Sequence, residues 1–219
     1  MIATHLEVSV QPMRDPLPGR LIDAAAEAIA NNADLLGELD RAIGDGDHGV
    51  NMLRGFAAIA GQRDELVGLP LAAALEAMGR QLVMTVGGAS GPLYGSLLIA
   101  MGKAAALEDT SVAAILEAGV AAVKKRGKSD RGEKTMLDVL VPVQAAWAQS
   151  CQEGLTVRPA LARVRLAARE GFESTRPLMA TKGRASFLRE RSIGHLDPGA
   201  CSSCLLVDAV CAVFLEDEP

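Results

Sequence analysis

The sequence predicts an all-α protein with a single domain of about eight helices joined by short loops. Apolar residues recur every three to four positions through most of the chain, which is the period of an amphipathic helix. No stretch of Pro, Gly or Ser is long enough to separate two domains. The one clear alternating pattern is Leu6, Val8 and Val10. We therefore expect residues 1–15 to form a tail or edge segment and residues 16–219 to form the helical domain.

Alanine-rich spans and apolar stripes locate individual helices. Alanine, the strongest helix former, dominates residues 24–30 and 104–106. The stripes, in chain order, are Leu71, Leu75, Met78 and Leu82; Val112, Ile115, Leu116, Val120 and Val123; Met136, Leu140, Val143 and Trp147; Val157, Leu161, Val164, Ala168 and Phe172; and Leu205, Leu206, Ala209, Val210 and Val213. Pro142 interrupts the third stripe, so we expect a kink there or a helix that starts late.

Composition excludes several classes of protein. Of 219 residues, 49% are hydrophobic and 22% are charged, which is typical of a globular protein and not of a disordered one. A net charge of −5 and a single Trp and Tyr argue against nucleic acid as a partner. We find no run of about 18 apolar residues that would predict a membrane span. The N-terminus also lacks the basic and apolar regions of a signal peptide.

The cysteines predict a reducing, cytoplasmic environment. Cys201 and Cys204 form a CxxC pair, but no further pair of zinc ligands and no thioredoxin-like strand accompanies it. Cys204 and Cys211 lie in one apolar helical run. We therefore interpret these cysteines as small buried core residues without a metal or redox role.

A turn between two predicted helices carries three carboxylates, those of Asp40, Asp45 and Asp47. Carboxylates this close repel one another unless a cation neutralises them, and their oxygens prefer Mg²⁺ or Ca²⁺. The helix that starts near His48 directs its free amides and positive dipole end towards the same point, which suits a phosphate. A carboxylate metal site beside a phosphate site is typical of a nucleotide bound with Mg²⁺.

Simpler interpretations of this turn compete with that one. An EF-hand loop starting at Asp45 is excluded, because Gly49 and Val50 stand where the loop requires a polar ligand and a glycine. Asp45 or Asp47 could merely cap the following helix, although one aspartate would suffice for that. His48 alone is a weak signal, because a lone histidine more often caps or packs than catalyses.

A glycine-rich segment, residues 85–96, opens another helix with Ser90 and Pro92. Its amides and the Ser90 hydroxyl suit a second phosphate. The segment is not a Walker A loop, and the near match at residues 127–129 lacks the required earlier glycine and follows a helix. The glycines could also serve only the close packing of two helices.

Basic residues gather in one segment of this acidic chain, namely Lys182, Arg184, Arg189 and Arg191. Arginine suits bidentate contact with phosphate. Pro198 and Gly199 then mark a turn before the last helix. A run of charges is as often a solvated face, so this segment alone decides nothing.

Four segments together resemble the nucleotide-binding L subunit of dihydroxyacetone kinase. They are LDRAIGDGDHGVNMLRGF, VGGASGPLYGS, RGEKTMLDVLVPV and KGRASFLRERSIGHLDPGA. The resemblance covers nearly the whole chain from about Gly19 onward and is more specific than any single glycine motif. It implies a barrel-like bundle of antiparallel helices that holds ADP or ATP at one end with two Mg²⁺ ions.

The resemblance also implies the residues of the site. Asp40, Asp45 and Asp47 would bind the Mg²⁺ ions. The residues that would surround the nucleotide are His48, Gly49, Val50, Asn51, Ala89, Ser90, Gly127, Met136, Arg184, Asp197, Pro198 and Gly199. Met136 lies in an apolar stripe and would otherwise be assigned to the core. No catalytic side chain is implied beyond this metal and phosphate clamp.

The implied reaction passes a phosphoryl group from Mg-bound ATP to a hydroxyl of a small ketose such as dihydroxyacetone. A separate K subunit would hold that substrate through a covalent bond to its own histidine. Alternatively, ADP stays bound and a phosphohistidine protein of the phosphoenolpyruvate-dependent phosphotransferase system rephosphorylates it. Such transfer depends on positioning and charge neutralisation.

Three other functions stay open. Related subunits serve ATP-dependent kinases that act on four-carbon sugars. A nucleotide-loaded module could dock on a transcription regulator without catalysing transfer. A helical scaffold could bind metal without nucleotide.

Overall fold

Helices account for most of the chain in a computed structural model that describes residues 16–216. This range holds ten α-helices and one 3₁₀ segment and contains no β-strand. The α-helices are α1 Leu17–Asn31, α2 Ala33–Ile43, α3 His48–Ala60, α4 Arg63–Val67, α5 Leu71–Thr85, α6 Ser90–Ala105, α7 Val112–Gly127, α8 Leu137–Gln152, α9 Val157–Ser174 and α10 Pro198–Glu216. The 3₁₀ segment is Arg184–Ser192. The all-α prediction is confirmed, and the alternating residues Leu6, Val8 and Val10 lie outside the described residues.

The predicted apolar stripes correspond to α5, α7, α8, α9 and α10. Eight helices have at least 13 residues, while α2 and α4 are shorter, with 11 and 5. Helix α8 starts at Leu137 and continues through Pro142, so the expected late start is wrong. Leu71 begins α5 and is exposed, whereas Leu82 at the other end of that stripe is fully buried.

The long helices pack in a closed order of neighbours. Helix α1 packs against α3, and α3 packs against α5. From α5 to α10, each helix packs against the next one along the chain, and α10 packs back against α1. A closed order is what a barrel-like bundle requires, and the barrel shape itself stays a prediction.

The core is aliphatic and contains three of the four cysteines. One buried cluster includes Ile29, Met52 and Leu137, and a second joins α8, α9 and α10. Cys201, Cys204 and Cys211 are buried, whereas Cys151 is exposed. Burial raises the pKa of Cys201 to about 12 and those of Cys204 and Cys211 to about 11. These three thiols are therefore buried core groups, as the sequence predicted, and their burial disfavours the reactive thiolate form.

Helix α10 bears on the expectation that no segment is apolar enough to span a membrane. An 18-residue window of α10 has a mean hydropathy of 1.8, so by length and composition this helix is apolar enough to cross a membrane. Within the domain, α10 packs against α1, α2, α8 and α9, and 39% of that window is buried. One such helix is weak evidence for a membrane span, because a core helix of a globular protein passes the same test.

Candidate functional site

Three aspartates meet where α2 gives way to α3. One carboxylate oxygen from each of Asp40, Asp45 and Asp47 lies within 4.8 Å of the others. The turn reverses tightly because Gly46 adopts a φ of +80°, a conformation that residues with a Cβ rarely take. The three residues predicted from the sequence therefore do come together, and we call them the aspartate cluster.

The fold orients Asp40 more firmly than its two partners. Its Oδ2 accepts a hydrogen bond of 3.1 Å from the backbone N–H of His48, the first residue of α3. Its Oδ1 lies so close to Gly44 that a Cβ on that residue would be 2.3 Å away. Asp47 stands at the N-cap position of α3, but its side chain makes no capping hydrogen bond. Capping by Asp47 therefore does not explain the cluster.

Four helices begin beside one another at this end of the bundle. The ring of His48, at the start of α3, lies 3.0 Å from the hydroxyl of Ser90, which starts α6. The same ring lies 2.9 Å from the hydroxyl of Ser202 in the second turn of α10. A Cβ on Gly199, in the first turn of α10, would lie 3.6 Å from the backbone nitrogen of Met136, which precedes α8. The positive dipole ends of these helices thus lie near one region, which favours an anion. The N–H groups of Leu137 in α8 and Ala200 in α10 already donate to Thr135 and Asp197, so the amides offered to an anion are those at the starts of α3 and α6.

The glycines of residues 85–96 serve two purposes, the close packing of neighbouring elements and the turn before α6. A Cβ on Gly91 would lie 2.3 Å from the carbonyl oxygen of Val86, so packing alone requires glycine there. Gly87 lies against the side chain of Asn51, where a Cβ would be 2.8 Å from Oδ1. Gly88 has a φ of +65° and open space around it. The simple packing interpretation therefore explains part of this segment, while the turn at Gly88 is left open to the surface.

The residues of the basic segment also differ in role, since some lie near the candidate site and others face solvent. The guanidinium of Arg184 forms an ion pair of 3.0 Å with Asp45 of the aspartate cluster. Lys182 pairs instead with Glu133 at 3.3 Å. Arg189 and Arg191 are exposed, as a solvated face predicts. Among the four basic residues of this segment, Arg184 is the one whose ion pair brings a positive charge to the aspartate cluster.

The remaining predicted residues differ in how closely the fold ties them to this region. Gly49 packs against α2, since a Cβ there would collide with the carbonyl oxygen of Ala33. Val50 is 60% exposed, and Ala89 is exposed immediately before α6. Gly127 ends α7 and lies against Leu93 in the first turn of α6.

A buried lysine secures the start of α10. Lys134 is 1% exposed, and its ammonium donates to the carbonyl of Thr175 at 2.7 Å and to that of His195. Asp197 accepts from the N–H of Ala200 at 2.7 Å, and its own N–H donates to the hydroxyl of Thr175 at 3.1 Å. We call Lys134, its two carbonyl partners and Asp197 the lysine clamp. It holds together the two ends of the segment that carries Arg184.

Burial governs the titration of the lysine clamp. Burial raises the pKa of Asp197 to about 7, and the charge of Asp138 adds to that effect while Lys134 opposes it. Burial also lowers the pKa of Lys134, against the attraction of Asp197 and Asp138. Asp138 in turn accepts from the N–H groups of Gly132, at 2.6 Å, and Thr135, at 2.7 Å.

The sequence interpretation missed several buried polar residues of this region. Tyr94, Ser202 and Ser203 are at most 3% exposed, and the Tyr94 hydroxyl lies 2.8 Å from each serine hydroxyl. Lys134 lies in a segment that resembles the family, but no role follows for it from the sequence. The one signal there is its position directly after Gly132 and Glu133 and three residues before the start of α8.

Comparison with known proteins adds the family. The family model of the DAK2 domain matches residues 42–212, which include most of the site. The chain belongs to the DAK2 domain family. A DAK2 relative from Listeria innocua, described as the ADP-binding subunit DhaL of a PEP-dependent dihydroxyacetone kinase, is 43% identical over 87% of this chain and 92% of its own length. The corresponding subunit of Escherichia coli is 39% identical over 80% of this chain and 86% of its own.

Larger DAK2 proteins match over only part of their length. An L-erythrulose kinase from Pectobacterium atrosepticum is 32% identical over 90% of this chain but 34% of its own length. The crystal structure of the dihydroxyacetone kinase from C. freundii with AMP-PNP and Mg²⁺ superposes with a TM-score of 0.73 at 26% identity. That superposition covers 100% of this chain and 37% of the other. The fold of this DAK2 domain is therefore shared with one part of a longer kinase.

Proposed function

We propose that this DAK2 protein is the nucleotide-binding subunit of a dihydroxyacetone-type kinase. The observation that carries the proposal is the aspartate cluster at the start of α3, whose first residue, His48, also lies against Ser90 at the start of α6. Carboxylates recruit a divalent cation, and helix starts recruit phosphates. Relatives described as ADP-binding subunits support the same conclusion, since the chain is about 40% identical to several of them.

The aspartate cluster fits Mg²⁺. Its donors are all carboxylate oxygens, which suit a hard cation, and they lie within 4.8 Å of one another. Asp40 is already oriented by the His48 amide, so part of the ordering cost is met before binding. Three carboxylates offer enough oxygens for two ions, which is the number we propose.

Around the cluster, we propose the contacts of a nucleoside diphosphate or triphosphate. The residues we assign to the nucleotide are His48, Gly49, Val50, Asn51, Ala89, Ser90, Gly127, Met136, Arg184, Asp197, Pro198 and Gly199. Amides at the helix starts would bind phosphate oxygens, and the buried Met136 next to Gly199 would border the nucleotide on its apolar side. Arg184 would add a positive charge next to Asp45.

These residues act by placing charge and not by covalent chemistry. The amides at the starts of α3 and α6 would bind phosphate oxygens and would stabilise negative charge that develops during transfer. Asp40, Asp45 and Asp47 would hold Mg²⁺, which would supply charge neutralisation. Arg184 is exposed enough to turn from Asp45 to a phosphoryl group. No general base is required from this chain, because the acceptor hydroxyl belongs to a substrate held elsewhere.

We further propose that the acceptor is a small ketose held by a separate K subunit in the cytoplasm. The higher identity to PEP-dependent subunits than to erythrulose kinases supports a bound ADP that a phosphohistidine protein rephosphorylates. The second candidate is an ATP-dependent kinase of four-carbon sugars. Supplying the K subunit and ketose with ATP alone, or with the phosphotransfer proteins alone, separates the two routes. Docking on a transcription regulator remains a further proposal.

The direct test is the nucleotide that the purified protein carries. Denaturation followed by chromatography is expected to release ADP, and slow release from the native protein would favour the bound-cofactor route. Calorimetry of the stripped protein is expected to show Mg²⁺-dependent ADP binding. Metal binding without nucleotide binding would contradict the proposal and leave the scaffold function.

A matched pair of variants tests whether Mg²⁺ and ADP bind at the aspartate cluster. Asp45→Asn removes one cluster carboxylate and is expected to weaken Mg²⁺-dependent ADP binding at least about tenfold, with the helical content unchanged. Asp34→Asn makes the same change of charge at an exposed position in the first turn of α2 and is expected to leave binding unchanged. Equal affinity in both variants would remove Asp45 from the site.

A further inference from the structure

Two neighbouring segments carry a large share of the positive charge of this acidic chain. Residues 124–134 and 182–191 together contain ten of its 22 Lys and Arg but three of its 27 Asp and Glu. Glu133 joins the two segments, because it accepts from the Thr181 hydroxyl at 2.8 Å and pairs with Lys182 at 3.3 Å. We call the two segments together the basic face. Its charge is opposite in sign to the net charge of −5 of the whole chain.

Most of the positive charge on the basic face is not neutralised by the protein itself. Of the ten basic residues, Lys134 is buried, and Lys124, Lys182 and Arg184 form ion pairs. The other six are exposed and form no ion pair with any of residues 16–216, namely Lys125, Arg126, Lys128, Arg131, Arg189 and Arg191. Exposed positive charges of this density attract a partner of the opposite charge.

Phe187 adds an apolar anchor to the basic face. It is 83% exposed, more than any other large hydrophobic residue in the described range. Beside it in the chain, Leu188, Arg189 and Arg191 line an open groove of about 720 Å³ together with Met179, which is 45% exposed. Phe, Met and Arg are the residue types enriched where proteins bind one another, and an exposed aromatic ring often fills a pocket of the partner.

The backbone of Arg189 independently indicates that this surface serves binding. Its φ of 51° and ψ of −125° form a combination that glycine adopts readily and other residues rarely adopt. The buried Ser192 holds this turn, since its hydroxyl donates to the Arg189 carbonyl at 2.6 Å and accepts from the Ala180 N–H at 2.9 Å. Glycine would suit the fold better here, so folding gives no reason for the arginine, whereas binding through its exposed guanidinium does.

We propose that the basic face, with Phe187 as its anchor, is the docking surface for a protein partner that presents an acidic face and an apolar recess. Arg184, three residues before Phe187, reaches Asp45 at 3.0 Å, so a protein docked here lies next to the aspartate cluster. On the proposed function, on which this step rests, that partner is the K subunit with its ketose. Asp130 and Glu190 interrupt the basic face, which suits a patterned protein surface better than a uniformly anionic lipid surface.

Calorimetry of the full chain with the K subunit tests the surface. We expect Phe187→Ala to weaken K-subunit binding at least about tenfold, as an interface anchor does. Leu107→Ala is the matched control, because it removes an apolar side chain that is 67% exposed just beyond the far end of α6. The control should change the affinity less than about twofold. Equal affinity of the two variants, or a parent protein that does not bind the K subunit, would overturn the proposal.

Arg189→Gly separates docking from folding. Glycine relieves the backbone conformation, so we expect the urea midpoint to be kept or raised while K-subunit affinity falls about fivefold. Arg80→Gly would remove the same side chain from an exposed position in α5 and should instead lower the urea midpoint, because glycine destabilises a helix, with affinity unchanged. Unchanged K-subunit affinity in Arg189→Gly would overturn the role of the arginine.

Two further measurements decide between the possible ligands of the basic face. Phe187→Ala and Arg189→Gly should bind Mg-ADP as the parent does, and a parallel loss of ADP affinity would assign these residues to the nucleotide instead. Binding to phosphatidylserine vesicles that is lost in Phe187→Ala would assign the face to a lipid surface and would overturn the proposal. If the parent bound no nucleotide, the proposed function would fail, while K-subunit binding that depends on Phe187 would still support the docking surface.

Discussion

The aspartate cluster and the lysine clamp both gather charges at helix starts, yet the fold treats them in opposite ways. In the clamp, Lys134 donates to two backbone carbonyls, and Asp197 accepts from the first turn of α10. In the cluster, Asp40 has one backbone partner and Asp45 has one exposed ion pair. The charged groups of the clamp bind mainly to the chain itself, whereas the cluster keeps carboxylate oxygens for a ligand.

This difference indicates that the clamp serves stability and the cluster serves ligand binding. Residues whose hydrogen bonds are satisfied inside the protein contribute to the free energy of unfolding. Residues with unused coordinating atoms on the surface contribute little to folding and are available for binding. Changes in the clamp should therefore alter stability first, and changes in the cluster should alter ligand affinity first.

The largest effect is expected when the clamp loses its cation. Lys134→Met would remove the ammonium from the carbonyls of Thr175 and His195 and would leave Asp197 without its nearby positive charge. We expect a loss of about 4 kcal/mol in the free energy of unfolding, measured by urea denaturation. Lys103→Met makes the same replacement at an exposed position in α6 and should change that free energy by less than about 0.5 kcal/mol. Similar stability of the two variants would contradict the claim that the lysine clamp stabilises the fold.

The acid of the clamp should make stability depend on pH. The pKa of Asp197 is raised to about 7, so the folded protein binds more protons than the unfolded chain between about pH 4 and 7. Stability contributed by this group therefore falls as the pH rises through that window, by about 3 kcal/mol. Asp197→Asn keeps an oxygen that can accept from Ala200 but does not ionise.

Denaturation at pH 5 and pH 8 measures this contribution as the difference between the parent protein and Asp197→Asn. The variant should lose less stability on going to pH 8 than the parent protein does. Asp34→Asn, at an exposed position, should keep the pH dependence of the parent. A parallel pH dependence in all three proteins would show that Asp197 is ionised throughout the window.

The two regions also differ in how far the sequence reveals them. The aspartate cluster is local, since its residues lie within eight positions of one another and their repulsion is evident without a fold. Lys134 meets Thr175 and His195 across 41 and 61 positions, and Tyr94 meets Ser202 across 108. No periodicity encodes such pairs, because each residue alone is an ordinary member of a helix or turn. The apolar stripes did predict the helices, because the residues of one helical face lie only three or four positions apart in the sequence.

A glycine tests the cluster without changing any charge. In Gly44→Ala, the new Cβ would lie 2.3 Å from Oδ1 of Asp40 and would displace that carboxylate. We expect Mg²⁺-dependent ADP binding to weaken about tenfold. The free energy of unfolding should also fall somewhat, because the Cβ would lie 3.0 Å from the backbone oxygen of Asp40 as well. Gly61→Ala is the control, since its Cβ would meet nothing closer than 3.5 Å. Calorimetry that finds equal affinity in both variants would show that the orientation of Asp40 is not needed.

The smallest effect is expected far from both regions, at the start of α7. Ser111 caps that helix, and its hydroxyl accepts from the N–H of Ala114 at 3.2 Å. Ser111→Ala should lower the free energy of unfolding by about 1 kcal/mol, because the cap is lost. ADP affinity should stay unchanged, because no residue assigned to the nucleotide contacts this cap. A loss of affinity in Ser111→Ala would mean that any modest destabilisation weakens binding. Effects on stability and effects on ligand affinity would then no longer distinguish the clamp from the cluster. Reduced affinity in Gly44→Ala would be explained by lower stability alone.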